Sequence, residues 1–403
     1  MKNDLIYNTI IYMKLTNESK NLLTFIKNNI NIPKNPLTNE SKNYLLTFLK
    51  KINHYDSIYW YNKLQEYIPP QKGQNFDGVI PQNIVSDILI KYTNVYAFHI
   101  NLGKRNFYIY LHFDKDTAKT ECVGYCHNCL YKIYLWLAIA DHYAKNDNSL
   151  TLKIYIYFTN HKKILPSKEV ILSTIHVNSA YTYACREHTM ISIFRKEEWF
   201  KVFIHETFHC MGLDFACMDT NDIDTMIHDI IPLKKNDIRS YEAYTEYWAE
   251  ILNILFISYF TTQIKDNYDL MLIKVEKMFN NERTFSLYQL VKVLKHNNLN
   301  YKSIFSNDST SIIKKQNYKE DTYVISYYLL KSILLFNMND FLKWNKVHNK
   351  TIDFETTDEN LRSFVDFIKE KYQNTKFIDY ISLVENIKSP QINASMRMSL
   401  YEI

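Results

Sequence analysis

The stretch Val202–Phe215, VFIHETFHCMGLDF, constrains the fold of this chain more than any other. Val202, Phe203, Ile204, Phe208, Met211 and Leu213 surround His205 and His209, and Gly212 supplies a helix stop. Residues four apart on a helix are separated by about forty degrees and about six ångströms of rise. Both imidazoles therefore face one point, with Glu206 turned about a hundred degrees away on the same helix. Partly buried polar groups of this kind need partners. Two histidines cannot supply the whole set, so a residue from elsewhere in the chain has to converge on them.

The rest of the chain is large enough to provide it. It has 403 residues, 46% of them hydrophobic and 15% aromatic, which are the proportions of a folded globular protein. Only 5 glycines and 8 prolines favour long helices with short connections. A net charge of +5 without a run of five basic residues gives little support to a nucleic-acid or membrane-surface role. The opening MKNDLIYNTIIYMKL is broken by Asp4, Asn8 and Lys14 before a signal-peptide core forms. The most apolar windows, 251–260 and 327–336, are about half a membrane span. The expectation is a soluble, cytoplasmic protein, not secreted by a signal of its own.

Six cysteines do not make a disulfide scaffold, and a reducing compartment fits them. Cys122, Cys126 and Cys129 are spaced i, i+4, i+7, which is one face of a helix. Packing, rather than a metal cluster, is the expectation for them.

Along the chain, LTNESKNLLTFIK (15–27) recurs as LTNESKNYLLTFLK (37–50), a helical hairpin with no chemistry of its own. The period changes near 94. VYAFHINLGKRNFYIYLHF (95–113) predicts two strands around Gly103, LTLKIYIYFT (150–159) a third and HTMISIFRK (188–196) a fourth, with a long helix over 121–145. An Asp-rich connection over 215–237 leads to a second helix at 238–260, and the remainder is mostly helical. Three regions follow: a helical one at 1–92, a sheet-bearing upper lobe at 93–215 and a helical lower lobe at 216–403. The fold class is α+β, with a small twisted, mostly antiparallel sheet.

The pair with its glutamate forms HExxH, a zinc-hydrolase signature. Zinc lowers the pKa of a bound water to about 7, and the glutamate takes its proton as the water attacks a polarised carbonyl. One zinc ion held by His205 and His209, with Glu206 as general base, is the expected centre. In metzincins the third ligand falls at position 215, which here is Phe215, so that pattern fails. The second helix supplies YEAYTEYWAE, with Glu242, Glu246 and Glu250 four apart on a largely apolar surface. Three such carboxylates are costly unless something pairs with them. The stretch resembles the thermolysin-type gluzincin pattern N-E-A-x-S-D-x-x-G, in which the glutamate binds zinc and the acid four residues on orients a ligand histidine. That resemblance implies Glu242 as ligand and Glu246 as its partner. Tyr241 in place of Asn and Glu246 in place of Asp leave Glu246 as ligand, with Glu250 behind it, an open alternative.

The strand–helix order before the motif is similar to a zincin upper lobe, with 178–194 as the edge strand that takes an extended peptide. Over about 175–260 the chain resembles zincin-like metallopeptidases of nucleocytoplasmic large DNA viruses. The resemblance implies hydrolysis of a polypeptide substrate. Gluzincins stabilise the oxyanion with a lower-lobe Tyr or His, and Tyr327, Tyr328 and His228 are candidates, as are Tyr181 and Tyr183 on the edge strand. The rival is a catalytically inactive zincin-fold structural or virion-associated protein; the presence of Glu206 favours the enzyme. A cysteine hydrolase using Cys210 or Cys185 finds no flanking signature.

Overall fold

The computed structural model describes residues 14–58, 64–66, 76, 78–234, 238–387 and 393–403. Its first helices, α1 (Asn17–Asn29) and α2 (Asn39–Ser57), begin where the repeated Thr-Asn-Glu-Ser sets a threonine as cap. The hydroxyls of Thr16 and Thr38 accept from Ser19 N (3.3 Å) and Ser41 N (3.1 Å). After β1 (Leu64–Glu66) and α3 (Gln82–Lys91) the pattern alternates. β2 (Asn94–Leu102) and β3 (Arg105–Phe113) form an antiparallel hairpin that turns at Gly103, whose φ of +53° suits a glycine. α4 (Lys119–Tyr143) crosses to β4 (Thr151–Tyr157), parallel to β3. The short β5 (Leu172–Ser173) and α5 (Thr174–Val177) lead to β6 (Ala180–Thr182) and β7 (His188–Ile193).

The sheet has the order β1-β2-β3-β4-β7-β6. Of its five pairings, β1·β2, β2·β3 and β6·β7 are antiparallel, while β3·β4 and β4·β7 are parallel. β6 is therefore an edge strand. This is the α+β arrangement, a small mixed sheet flanked by helices, that the sequence pattern implies, and it is consistent with a zincin-like fold.

β7 feeds α6 (Trp199–Met211), the helix of the histidines. Gly212 closes α6 at φ +64°, and Leu213 N bonds back to Phe208 O at 2.9 Å. A Cβ at Gly212 would meet the Asn146 amide at 2.5 Å. The Asp-rich segment beyond it is not wholly a connection: Asn221–Ile230 is helix α7, burying Ile223 and Ile227. Asp222 and Asp224 lie in its first turn, where acids favour a helix N-terminus, so the Asp-rich composition marks a helix start as well as a loop.

α8 (Ser240–Phe260) and α9 (Tyr268–His296) follow, then α10 (Tyr301–Phe305), α11 (Ser309–Gln316) and β8 (Glu320–Asp321), which pairs with β5. A π-helical turn, Ile325–Leu330, runs into α12 (Lys331–Phe336); α13 (Met338–His348), α14 (Asp358–Lys371) and α15 (Thr375–Glu385) complete the helices. α1 and α2 do not form the expected hairpin. α1 lies on α9, and α2, which also touches α9, lies mainly on α4, α8 and α13. The chain between them is drawn out by α9, where Asn280 accepts from Asn35 N at 2.7 Å and Arg283 donates to Pro33 O at 2.5 Å.

Residues 393–403 thread back through the core as extended chain. Glu198 accepts from Ser399 N (2.6 Å), and Glu282 accepts from Leu400 N (2.8 Å). No helix among the described residues is long and apolar enough to cross a membrane.

Candidate metal centre

α6 and α8 run antiparallel, face to face. Lys201 meets Glu246, His205 lies against both Glu246 and Glu242, and His209 meets Glu242. The row of three glutamates on α8 is thereby dealt out to three different partners. Glu242 takes the two imidazoles, Glu246 takes Lys201, and Glu250, further along, accepts from Lys331 Nζ at 2.7 Å.

At the head of this row three ligand atoms converge. His205 Nε2 and His209 Nε2 are 3.0 Å apart, and each lies 3.2 Å from Glu242 Oε2. Ligands placed tetrahedrally at about 2.0–2.1 Å from zinc stand about 3.3 Å from one another. The triangle has that size. Among the described residues it is the one set of His, Cys, Asp and Glu side chains that brings three ligand atoms within 4.8 Å of each other. The three side chains are 6–7% exposed, so they are buried yet reach the cleft.

Their charges fit a cation. Burial works against a charged imidazole, but Glu242 and Glu246 around His205, and Asp214 and Glu242 around His209, outweigh it and hold both rings above their ordinary value. Burial likewise opposes the Glu242 carboxylate, and the two histidines still hold it well below the usual range. Two Nε2 atoms at 3.0 Å leave room for one proton between them, whereas two lone pairs and a carboxylate can share one divalent ion.

The rings are fixed from behind. Nδ1 of His205 lies 2.9 Å from Glu246 Oε2. Nδ1 of His209 bonds Asp214 Oδ2, which also accepts from Thr245 Oγ1 at 2.7 Å, while Asp214 Oδ1 accepts from Ala216 N at 3.1 Å. Asp214 misses the metzincin position by one residue, so the motif does not mark it. Its signal was the buried acid five residues after His209, in the turn that Gly212 opens.

A cleft of about 650 Å³ opens onto the triangle, with Glu206, Tyr241, Tyr327 and the edge residues Ala180, Tyr181 and Thr182 in its wall. Burial raises Glu206 from its ordinary value, and its carboxylate makes no hydrogen bond to a described residue. Tyr327 stands with its ring centroid 6.2 Å from that of His205. Tyr183 also lines the cleft. The other two lower-lobe candidates do not reach it: Tyr328 donates to Met396 O (2.6 Å), and Nε2 of His228 bonds Leu233 O (3.0 Å).

The cysteines divide into two groups. Cys122, Cys126, Cys129 and Cys210 are buried thiols, and burial pushes Cys210 up to about 12, which leaves it no nucleophile. Cys185 and Cys217 form a disulfide, and the expected reducing compartment does not account for it. The bridge ties the β6–β7 turn to the loop after α6, and Ala184, Arg186 and Ala216 beside it line the cleft. Thirty-two residues separate its halves, so spacing gave no sign of the pairing.

Compared with known protein families, with curated proteins and with solved structures, the chain matches none of them. What its own geometry gives is a buried His-His-Glu triad, consistent with a gluzincin HExxH…E site, on an α+β scaffold.

Proposed function

We propose that this chain is a zinc-dependent peptidase of gluzincin type. The observation that carries the reading is the triangle of His205 Nε2, His209 Nε2 and Glu242 Oε2 at the floor of an open cleft. A zinc ion held there would polarise the scissile carbonyl and acidify a water at its side.

The chain's own residues do the rest. Glu246 and Asp214 orient the two imidazoles so that both Nε2 lone pairs point at the ion. Glu206 stands next to the first ligand with a carboxylate that hydrogen-bonds no described residue, which would leave it to take the water's proton and pass it to the leaving amine. The open edge of β6 takes the substrate as an added strand, which sets a peptide carbonyl over the site. Tyr327, across the cleft, donates its phenolic hydrogen to the oxygen on which charge develops. Kinship with metallopeptidases of large DNA viruses rests on the sequence resemblance alone.

Metal analysis together with a Glu206→Gln variant tests the reading. The protein should carry one zinc per chain and cleave peptides, and the variant should keep the zinc while losing about 10²–10⁴-fold in rate. A protein that cannot be loaded with zinc, or a variant as fast as wild type, overturns it. A zinc-loaded wild type that cleaves no member of a peptide library moves the chain to the non-cleaving alternative.

A further inference from the structure

A second cavity shares no lining residue with the cleft. It measures about 330 Å³ and has aliphatic walls from Leu165, Pro166, Val291, Val384 and Ile387. That size sits at the lower end of the range of about 300–1,000 Å³ typical of small-molecule sites.

Its polar lining is basic. Lys168, Lys292 and Lys295 line it beside the His296 imidazole, with no carboxylate and no side-chain amide among the described lining residues. Lys295 and His296 are anchored on the backbone, at Glu385 O (2.7 Å) and Val170 O (2.8 Å). Lys292 differs. It is 5% exposed, donates to Ser395 O at 2.6 Å, and lies 4.8 Å from the Tyr288 ring centroid. Burial with no acid alongside pushes it down to about 7. Among the described residues this buried ammonium has a carbonyl and a ring face for partners and no counter-charge, and an anion entering the cavity would supply one.

We infer that this cavity binds a straight-chain alkyl carboxylate, with the head at Lys292 and the tail along the aliphatic wall. A peptide of the same apolar character would also bring N–H donors; among the described lining residues no carboxylate or amide side chain accepts them, and the carbonyls of Ser395, Glu385 and Val170 already accept from Lys292, Lys295 and His296. An alkyl carboxylate brings acceptors alone. The inference is independent of the metal centre and stands or falls separately from it.

Calorimetric titration with dodecanoate, dodecan-1-ol and an acetylated leucine-rich tripeptide with a free C-terminus tests it. Dodecanoate should saturate one site, and the alcohol, identical in chain but uncharged, should bind about tenfold more weakly or worse. Lys292→Met should erase that preference, and Lys292→Arg should keep it. Equal binding of acid and alcohol by the wild type, tighter binding of the tripeptide, no saturable binding of dodecanoate, or a folded Lys292→Met that keeps the preference overturns the inference. If Lys292→Met does not fold, the wild-type comparison of acid with alcohol decides alone.

Discussion

Two buried helices of this protein carry metal-capable side chains at the same spacing. On α4, Cys122 and Cys126 are four apart and Cys129 follows; on α6, His205 and His209 are four apart. Burial does not distinguish them, since all five side chains lie inside. What differs is the element opposite. α8 presents the carboxylate of Glu242 to the histidines. The polar groups at Cys122 include the Asn94 amide at 3.6 Å, the Thr117 carbonyl at 3.9 Å and the Tyr96 side chain, and none of these completes a ligand set. Burial pushes Cys126 up to about 12, so it stays a thiol, whereas a metal takes a thiolate. Spacing on one helix nominates a site, and the facing helix decides it.

The largest expected effect breaks that comparison if it fails. Removing a corner of the triangle, by His205→Ala or Glu242→Gln, should lower zinc affinity by more than the roughly 10–100-fold that supporting residues command. Cys126→Ala should leave the zinc content unchanged. Loss of zinc on changing Cys126 would mean that the metal sits on the wrong helix.

Next come the acids that hold lysines instead of the metal. Glu250 is on the same helix as Glu242, two turns on, and its partner Lys331 also donates to Met398 O at 2.6 Å. Glu250→Gln removes the one carboxylate that ammonium bonds, leaving it to the more distant charges of Glu246 and Glu282; breaking a buried pair in this way costs up to about 3–5 kcal/mol. Denaturant unfolding should register the loss while zinc affinity stays as in the wild type. A fall in zinc affinity to match Glu242→Gln would make the two acids equivalent, against the division seen along α8.

Glu198 gives the lysine-paired class a pH signature. Burial works against its charge, but Lys163 at 2.5 Å and the Arg397 guanidinium outweigh it and hold the carboxyl well below its ordinary value. A carboxyl lowered on folding adds stability that is complete above the unfolded value of about 4.3 and is lost as pH falls below it. Unfolding free energies measured downward from pH near 5 should decline, and Glu198→Gln should flatten the decline. An unchanged slope in that variant would assign the acid sensitivity elsewhere.

These contrasts explain what could be read from the residues. The α6 helix and its stop at Gly212, the alternation of β2 and β3, and the threonine caps of α1 and α2 are local signals, so spacing alone carries them. The choice of Glu242 over Glu246 needed the antiparallel register of α6 and α8, which a motif five residues long does not contain. The Cys185–Cys217 bridge, the reach of residues 393–403 to Glu198 and Glu282, and the hold of α9 on the chain between α1 and α2 are contacts between distant segments. Nothing in the local pattern specifies them. Three tyrosine or histidine candidates from the lower lobe were equal in sequence, and one, Tyr327, faces the cleft.

Asp214 offers the smallest and most discriminating test. It is 1% exposed and joins three things: the Nδ1 of His209, the Thr245 hydroxyl on α8 and the Ala216 amide in its own turn. Asparagine keeps one oxygen for His209 Nδ1 and Thr245 Oγ1, turns its amide nitrogen toward the Ala216 N–H, and removes the charge that makes the imidazole a stronger donor to the metal. Asp214→Asn should therefore weaken zinc about 10–100-fold, while the unfolding free energy of the zinc-free protein falls by no more than the roughly 1–3 kcal/mol of one unpaired buried N–H. Chelator competition reads the first quantity and apo-protein denaturation the second. If stability falls and zinc affinity does not, Asp214 is a turn residue that happens to touch a ligand, and the facing-helix rule needs only Glu242 to hold.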